Sequence, residues 1–185
     1  MKELIIVEGR SAEQALQCAI DRASQQVFAI QGKFLNVGNA TESRMLADDN
    51  CARLLACLDC GYGEQLELSR MQFEAISILM DPDIDGRHTS ALLLTFFATY
   101  LRPLAAAGKL RLLRAPLYRL ITSAQQSHYA FSEQEYTALN AALAEMNQTI
   151  TVTRYKSVAQ LTAQESADFF APNGERRHLQ TIRTN

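Results

Sequence analysis

Three aspartates stand at alternate positions in the segment ILMDPDIDGRH, residues 78–88. They are Asp81, Asp83 and Asp85, and Gly86 follows them directly. Like charges this close repel one another, so the arrangement is favourable only where something offsets the repulsion. A divalent cation does so, because hard ions such as Mg²⁺ prefer carboxylate oxygens as ligands. The segment is therefore the first candidate for a chemical site.

Other chemistries also use aspartates at this spacing. The D-x-D-x-D-G pattern opens the calcium loop of an EF-hand, but that loop follows a helix and has an acid at its twelfth position, where this chain has Leu92. A phosphatase of the D-x-D-G-T kind would use Asp83 as a nucleophile with Asp85 beside it. Arg87 stands where that pattern has threonine. The acids could also cap a helix that starts near Arg87, which is favourable by roughly 0.3–1 kcal/mol and needs only one of them.

A fourth acid, Glu8, is remote in sequence but follows the same kind of segment. The apolar run 3–7 (ELIIV) reads as a buried strand that ends at Glu8, and the run 74–80 (EAISILM) reads as a strand that ends at Asp81. Ligands of parallel sheets bind at the carboxyl ends of the strands, so we expect these acids to meet. One or two Mg²⁺ ions held there could stabilise both oxygens of an in-line phosphoryl displacement.

Strand and helix patterns alternate along the first two thirds of the chain. This alternation predicts an α/β fold, with a mostly parallel, Rossmann-like sheet and helices on both faces. Ser11 is the expected N-cap of the first helix. The predicted strands are 3–7, 27–30, 74–80 and 109–114, and the predicted helices are 12–23, 42–58 and 87–107.

The pattern changes after Thr122. A polar stretch is followed by a predicted helix near 132–146, a strand at 149–155, a helix near 161–170 and a basic tail from Arg176. We therefore expect a principal domain over residues 1–121 and a small α+β appendage over residues 122–185.

Composition limits the classes of protein to which the chain could belong. With 185 residues, of which 48% are hydrophobic, it is long enough for one full core. No apolar stretch reaches the ~18 residues of a membrane span, and the first strand runs into a glutamate instead of a signal-peptide cleavage site. These features predict a cytoplasmic protein without a membrane partner.

Charge is divided unevenly along the chain. Residues 1–100 carry 8 Lys and Arg against 14 Asp and Glu, whereas residues 101–185 carry 10 against 6. The asymmetry is typical of a metal site beside a surface that faces a polyanion, although chance asymmetry on a solvated surface would look the same.

Several separate motifs together resemble a known family. They are EGRSA at 8–12, QGKFLNV at 31–37, CGYG at 60–63, DPDIDGRHTSALLLTFF at 81–97, APLYRL at 115–120 and TRYK at 153–156. The first and fourth are similar to the TOPRIM domain of topoisomerases, primases and related nucleases. The whole set resembles more closely the B-type subunit of bacterial type IIA topoisomerases, gyrase and topoisomerase IV. The resemblance covers residues 3–120 and resumes more weakly from residue 149.

This resemblance implies roles for the four acids. In the family, the glutamate and the first two aspartates hold Mg²⁺, for which Mn²⁺ can substitute, at the site of DNA cleavage. Glu8, Asp81 and Asp83 are therefore the expected metal ligands, and Asp85 is expected to support them. The family glutamate also acts as a general acid and base, so Glu8 is the expected catalytic residue.

The resemblance also implies macromolecular partners. Lys33 and Asn36 match DNA-contacting positions of the family. In type IIA enzymes the tyrosine that attacks DNA belongs to the partner subunit, and nothing marks any of the six tyrosines of this chain as that nucleophile. The expected partners are DNA and an A-type topoisomerase subunit carrying the tyrosine, or another gyrase or topoisomerase IV subunit.

Two departures from the family pattern leave alternatives open. The family EGDSA is EGRSA here, which places Arg10 beside the acids, and RYKGLGEM is RYKSVAQL, in which Ser157 and Ala159 replace glycines. The chain also has no room for an ATPase domain, so alone it is not expected to be an ATP-driven topoisomerase. We expect a Mg²⁺-binding domain for cleaving and rejoining DNA. The alternatives are a free-standing, non-enzymatic module that binds and modulates a gyrase or topoisomerase IV subunit, and a metal-dependent DNA nuclease.

Overall fold

Eight strands and seven α-helices make up the described part of the chain, which comprises residues 2–146, 149–174 and 178–182 of a computed structural model. The strands are β1 (Glu3–Glu8), β2 (Gln25–Ile30), β3 (Ala75–Ile78), β4 (Leu110–Leu113), β5 (Tyr118–Thr122), β6 (Ser127–Ala130), β7 (Ile150–Arg154) and β8 (Leu179–Ile182). The helices are α1 (Gly9–Gln17), α2 (Glu42–Ala47), α3 (Asp49–Leu58), α4 (Ile84–Tyr100), α5 (Arg102–Ala106), α6 (Glu133–Glu145) and α7 (Ala163–Phe170). Short 3₁₀ turns lie at Val37–Asn39, Gly63–Gln65, Leu68–Arg70 and Val158–Gln160.

The main sheet has five strands in the order β2-β1-β3-β4-β8. The first four are parallel, and β8 pairs with β4 in the antiparallel direction. One apolar cluster joins the sheet to α3 and α4, and a second joins it to α1 and α7. The prediction of an α/β fold with a mostly parallel sheet and helices on both faces is confirmed.

Strand β1 shows why the apolar runs form the centre of this sheet. Its residues Leu4, Ile5, Ile6 and Val7 are all fully buried, because helices cover both faces of the strand. A parallel strand in this position needs a continuous apolar run instead of an alternating pattern, and the run 3–7 supplies one.

A second sheet of three antiparallel strands, in the order β6-β5-β7, packs with α6 around a smaller core. The chain that follows β7 packs against the main sheet. Tyr155, Val158 and Phe170 belong to the same apolar cluster as Ile5 of β1. Strand β5 begins before residue 121 and β8 returns to the main sheet. The division into 1–121 and 122–185 itself stays a prediction.

Three predictions about the helices of the main domain are wrong in detail. Helix α1 begins at Gly9 with Glu8 as its N-cap, so Ser11 lies inside the helix instead of capping it. The predicted helix 42–58 is divided at Asp48, whose side chain accepts a hydrogen bond from the N–H of Cys51 and starts α3. The predicted helix 87–107 is divided likewise, because Pro103 stands in the first turn of α5.

Three strands were not predicted. Strand β5 follows the predicted strand 109–114 as a separate strand. Strand β6 lies in the polar stretch after Thr122, and β8 lies near the end of the chain. Both are short, four-residue strands whose sequences lack a long apolar run. The start of the predicted basic tail, Arg176, lies outside the described residues. Among the residues that the structure describes, no helix has the length and apolar character of a membrane span.

Candidate metal centre at the carboxyl edge of the main sheet

Strand register brings the predicted metal ligands to one edge of the main sheet. Ile6 of β1 pairs with Ile78 of β3, so Glu8 and Asp81 follow at similar heights above the strand ends. The segment after Asp81 turns directly into α4, which carries Asp85 in its first turn. The structure therefore places Glu8 and the three aspartates on the same side of the sheet.

Glu8 is half-buried and lies in a negative environment. Burial raises the pKa of its carboxyl, and the charges of Asp81, Asp83 and Asp85 raise this pKa further. Within the described part of the chain, its Oε2 atom is buried and has no hydrogen-bond partner. A buried acceptor in this state is unfavourable unless a cation or another donor completes it.

Asp81 is held from two directions. Its Oδ1 atom accepts a hydrogen bond of 2.8 Å from the backbone N–H of Val158, and the hydroxyl of neighbouring Ser157 lowers the pKa of the carboxylate. A Cβ atom added to Gly86 would overlap the backbone oxygen of Asp81, so only glycine permits this approach. Burial raises the pKa of Asp81, and the N–H of Val158 and the hydroxyl of Ser157 offset only part of that effect.

Asp83 and Asp85 differ in what they contact. The Oδ1 atom of Asp83 accepts a hydrogen bond of 2.8 Å from the N–H of Gly86, which makes Asp83 the N-cap of α4. Helix capping therefore accounts for one of the three aspartates. Asp85 is exposed in the first turn of the helix, where its charge favours the helix dipole.

The acids fit a hard cation without forming a closed cage. Across residues 2–146, 149–174 and 178–182, no three His, Cys, Asp or Glu side chains converge closely enough to hold an ion. The donors nevertheless have the right chemistry, since Glu8 presents a buried oxygen without a partner among the described residues. Each carboxylate of Asp81 and Asp83 accepts several contacts, so the hydrogen bonds that they already make leave room for a metal ligand bond. The metal site stays a prediction.

The loop that follows β2 carries the two predicted DNA-binding residues. Its start lies beside Glu8, because Ile30 pairs with Glu8 in the sheet register. Lys33 is exposed. Asn36 is also exposed, and its side chain accepts a 3.1 Å hydrogen bond from the N–H of Gly38 and thereby caps a 3₁₀ turn. A turn role is therefore observed for Asn36, while DNA contact by either residue stays a prediction.

A cleft of about 1000 Å³ opens on the other side of the aspartates. Its walls are the segment from Asp81 to Asp85, one face of α4, the end of β4 with the segment that follows it, and the start of α6. Arg87, Arg114 and Arg154 also line it, so acidic and basic groups face the same space. The volume is large enough for a ligand or a segment of a partner.

Sequence reasoning missed two groups of residues that shape the site. Ser157 and Val158 were noticed only as part of a departure from the family motif, and nothing in the sequence indicated that they contact Asp81. Asn50 accepts a 2.8 Å hydrogen bond from the N–H of Gln31 and donates one of 2.9 Å to its carbonyl, which anchors the loop after β2. An asparagine inside a helical pattern carries no signal of that contact.

The sheet order and the acidic carboxyl edge define a Toprim domain. The sequence matches the Toprim domain family over residues 3–114, and the chain belongs to this family. It is similar to the DNA gyrase B subunit of Archaeoglobus fulgidus, with 35% identity over 164 residues that cover 89% of this chain and 25% of the relative. It is also similar to the gyrase B subunits of Thermotoga maritima, with 34% identity, and Staphylococcus aureus, with 32%, each over 88% of this chain and 25% of the relative. The chain thus spans about a quarter of the length of these curated relatives.

Proposed function

We propose that this Toprim domain binds divalent metal ions through Glu8, Asp81 and Asp83, with Asp85 in support, and serves in the cleavage and rejoining of DNA strands. The observation that carries the proposal is the environment of the Glu8 carboxylate. Its buried oxygen lacks a partner among the described residues, and three aspartates surround it with negative charge. The relatives named as B subunits of DNA gyrase support the choice of DNA as substrate.

The residues of the site suit phosphodiester chemistry. When bound, Mg²⁺ would stabilise negative charge on phosphate oxygens. Asp81 and Asp83 are held by Val158 and Gly86, so they offer carboxylates in fixed positions. Glu8 is the general acid and base of the proposal, because the family glutamate has this role and the carboxyl of Glu8 lies at the same edge as the aspartates.

DNA would approach over the loop that follows β2. Lys33 is an exposed cation on this loop, and a lysine of this kind binds a phosphate without reading sequence. Asn36 would contact the same strand. The nucleophilic tyrosine would come from an A-type subunit, or from another gyrase or topoisomerase IV subunit, in the cytoplasm.

Calorimetric titration with Mg²⁺ and Mn²⁺ tests the metal site. The wild type is expected to bind, and the double variant Asp81→Ala with Asp83→Ala is expected to lose binding. Asp49→Ala is a matched control, because this aspartate is exposed on α3 and pairs with Arg53 at 3.6 Å. Absence of binding by the wild type, or equal binding by the double variant, would contradict the proposal.

DNA cleavage tests the activity itself. Together with an A-type subunit and Mg²⁺, the wild type is expected to give cleaved DNA joined to the partner, and Glu8→Gln is expected to abolish this product. Lys33→Ala should weaken DNA binding and reduce the slope of log affinity against log salt by about one. Nicking of plasmid by this chain and Mn²⁺ without a partner would favour a nuclease instead.

One observation favours a non-enzymatic alternative. Asp81 and Asp83 each already accept a backbone N–H, and the described acids do not converge into a cage. A chain with such a site could bind and modulate a gyrase or topoisomerase IV subunit without doing chemistry. Pull-down of those subunits by a wild type that binds no metal would support this alternative, whereas metal-dependent cleavage would contradict it.

A further inference from the structure

The 3₁₀ turn at Val158–Gln160 reaches the acidic edge from a distant part of the chain. The N–H of Val158 lies 77 positions away from Asp81 in sequence and donates to its Oδ1 atom at 2.8 Å. Burial raises the pKa of the same carboxylate, and the neighbouring hydroxyl of Ser157 offsets part of that rise. The turn therefore brings a backbone donor, with the Ser157 hydroxyl beside it, to one carboxylate at the proposed metal site.

These donors are themselves held in place. The Val158 side chain is 1% exposed and packs in the apolar cluster between the main sheet, α1 and α7. The Oε1 atom of Gln160 accepts hydrogen bonds from the N–H groups of Lys156 at 2.6 Å and Ser157 at 3.1 Å. The Ser157 hydroxyl also accepts one from the N–H of Ala159 at 3.2 Å. The burial of Val158 and these hydrogen bonds thus hold the turn in one conformation.

We propose that Ser157 and Val158 are positioning residues that orient the Asp81 carboxylate for metal binding, an inference that rests on the proposed metal site. Hydrogen bonds to a metal-binding carboxylate fix the direction of its free lone pairs, and their loss typically weakens metal affinity by about 10- to 100-fold. Gly86 permits the close approach of its own backbone to that of Asp81, and the turn donates a hydrogen bond to the Asp81 side chain. Both the backbone and the side chain of Asp81 are therefore constrained.

Val158→Pro removes the N–H group at a position whose backbone accepts proline, and the melting temperature reports the accompanying change in packing of this buried side chain. Val158 is the first residue of its 3₁₀ turn, a position that accepts proline because its N–H has no partner inside the helix. Ser157 before it is extended, with φ −145° and ψ 147°, which is the conformation that a residue preceding proline prefers. Ala163→Pro is the matched control, because it makes the same change at the first residue of α7, whose cap is formed by Thr162 and Glu165.

The Ser157 hydroxyl is tested separately. Ser157→Ala removes it, and Ser157→Thr restores a hydroxyl at the same position. Ser132→Ala is the control for a lost serine cap, because the Ser132 side chain caps α6 by accepting from the N–H of Glu135 at 3.1 Å.

Mn²⁺ affinity by calorimetry is the readout, with the melting temperature of every variant measured alongside. We expect the dissociation constant to rise about tenfold in Val158→Pro and in Ser157→Ala, to return towards wild type in Ser157→Thr, and to stay unchanged in both controls. Unchanged affinity in Val158→Pro, with a wild type that binds, would overturn the positioning role and leave the metal site intact. Tighter binding would overturn it too, because the turn would then compete with the metal. A wild type that binds no Mn²⁺ would overturn the metal site and this inference together.

Discussion

Glu8 and Glu165 are both at least partly buried, but donors and a cation surround Glu165, whereas acidic side chains surround Glu8. Glu165 of α7 is 5% exposed and accepts hydrogen bonds from the hydroxyls of Tyr129 at 2.8 Å and Tyr155 at 2.7 Å. The guanidinium of Arg119 lies 3.3 Å from the same carboxylate. Glu8, by contrast, faces three aspartates and has an oxygen without a partner within the described residues.

The pKa values of the two carboxyls reflect this difference. Burial alone would raise the pKa of Glu165, but hydrogen bonds from the Thr162 backbone, Tyr155 and Tyr129 outweigh burial and hold that pKa below its ordinary value. Burial and the neighbouring acids both raise the pKa of Glu8. A carboxylate saturated with donors joins parts of the fold, whereas one surrounded by like charge is unfavourable unless a cation or another donor completes it.

The largest expected effect comes from removing the charge of Glu165. Glu165→Gln places an amide among donors that need an acceptor and leaves Arg119 without its carboxylate, so we expect a loss of about 3 kcal/mol in the free energy of unfolding, measured by urea denaturation near neutral pH. The sign of the pH dependence follows from the lowered pKa of Glu165. Its contribution is present above the ordinary value and is lost as the pH falls through the lowered one.

Glu133→Gln is the control for that variant. Glu133 also accepts from a tyrosine, Tyr118, and pairs with Arg154, but its side chain is 62% exposed. We expect a change below about 1 kcal/mol, because water replaces what is lost. Equal losses of unfolding free energy in the two variants would show that the buried hydrogen bonds of Glu165 stabilise the fold no more than the exposed ones of Glu133.

The second effect concerns the acidic edge. Gly86→Ala would place a Cβ atom against the backbone oxygen of Asp81, closer than two such atoms can approach, so the segment must shift. We expect a loss of about 2–3 kcal/mol in unfolding free energy, together with weaker Mn²⁺ binding.

Gly63→Ala separates crowding from backbone strain. Gly63 has φ +57°, but an added Cβ would meet no atom within 4 Å. Only the conformational cost of about 1 kcal/mol is expected there, without any effect on metal binding. A Gly86→Ala variant that is as stable as Gly63→Ala would contradict the crowding around Asp81.

The third effect removes one donor from the Glu165 network. Tyr155→Phe is expected to reduce the unfolding free energy by about 1–2 kcal/mol, because the hydroxyl of this buried tyrosine is one of several that satisfy the carboxylate. Tyr118→Phe is the matched change at a hydroxyl that bonds to exposed Glu133, and it should cost less. Thermal unfolding of both variants measures the difference, and a reversed order would count against the network.

The smallest expected effect has the opposite sign. Glu8→Gln removes a charge from the acidic edge, so the melting temperature at neutral pH is expected to rise slightly in the absence of metal. Because the folded state raises the pKa of Glu8, the wild type loses stability as the pH rises from the ordinary value through the raised one. The gain should therefore vanish at a pH below the ordinary value, 4.5. Destabilisation by Glu8→Gln at neutral pH would contradict the comparison with Glu165.

Strand patterns and the acidic site were predictable from local sequence. A parallel strand covered on both faces needs an uninterrupted apolar run, and the runs that end at Glu8 and Asp81 satisfy this requirement. Since the carboxyl ends of parallel strands share one edge, the proximity of the acids follows from the order of the elements. The identity of the family followed from motifs at these same strand ends, and the match to Toprim domains confirmed it.

Other features escaped prediction for two different reasons, one local and one dependent on residues far apart in the chain. Asp48 reads as an ordinary helical residue, yet its side chain ends one helix pattern and caps the next. Strand β8 has no apolar run of its own and forms because β4 offers it a free edge to pair with. Backbone pairing of this kind depends little on side-chain type, so it leaves little trace in sequence.

The amino-acid sequence by itself determined the class of fold, the strand ends at which Glu8 and Asp81 stand, and the charge that gathers there. Only the tertiary structure decided how each acid is completed. It brings Val158 to Asp81 and two tyrosines with an arginine to Glu165, and it leaves an oxygen of Glu8 without a donor among the described residues. The physical reason is that periodicity and propensity act within a few residues, whereas hydrogen-bond partners across 77 positions are set by how the core packs.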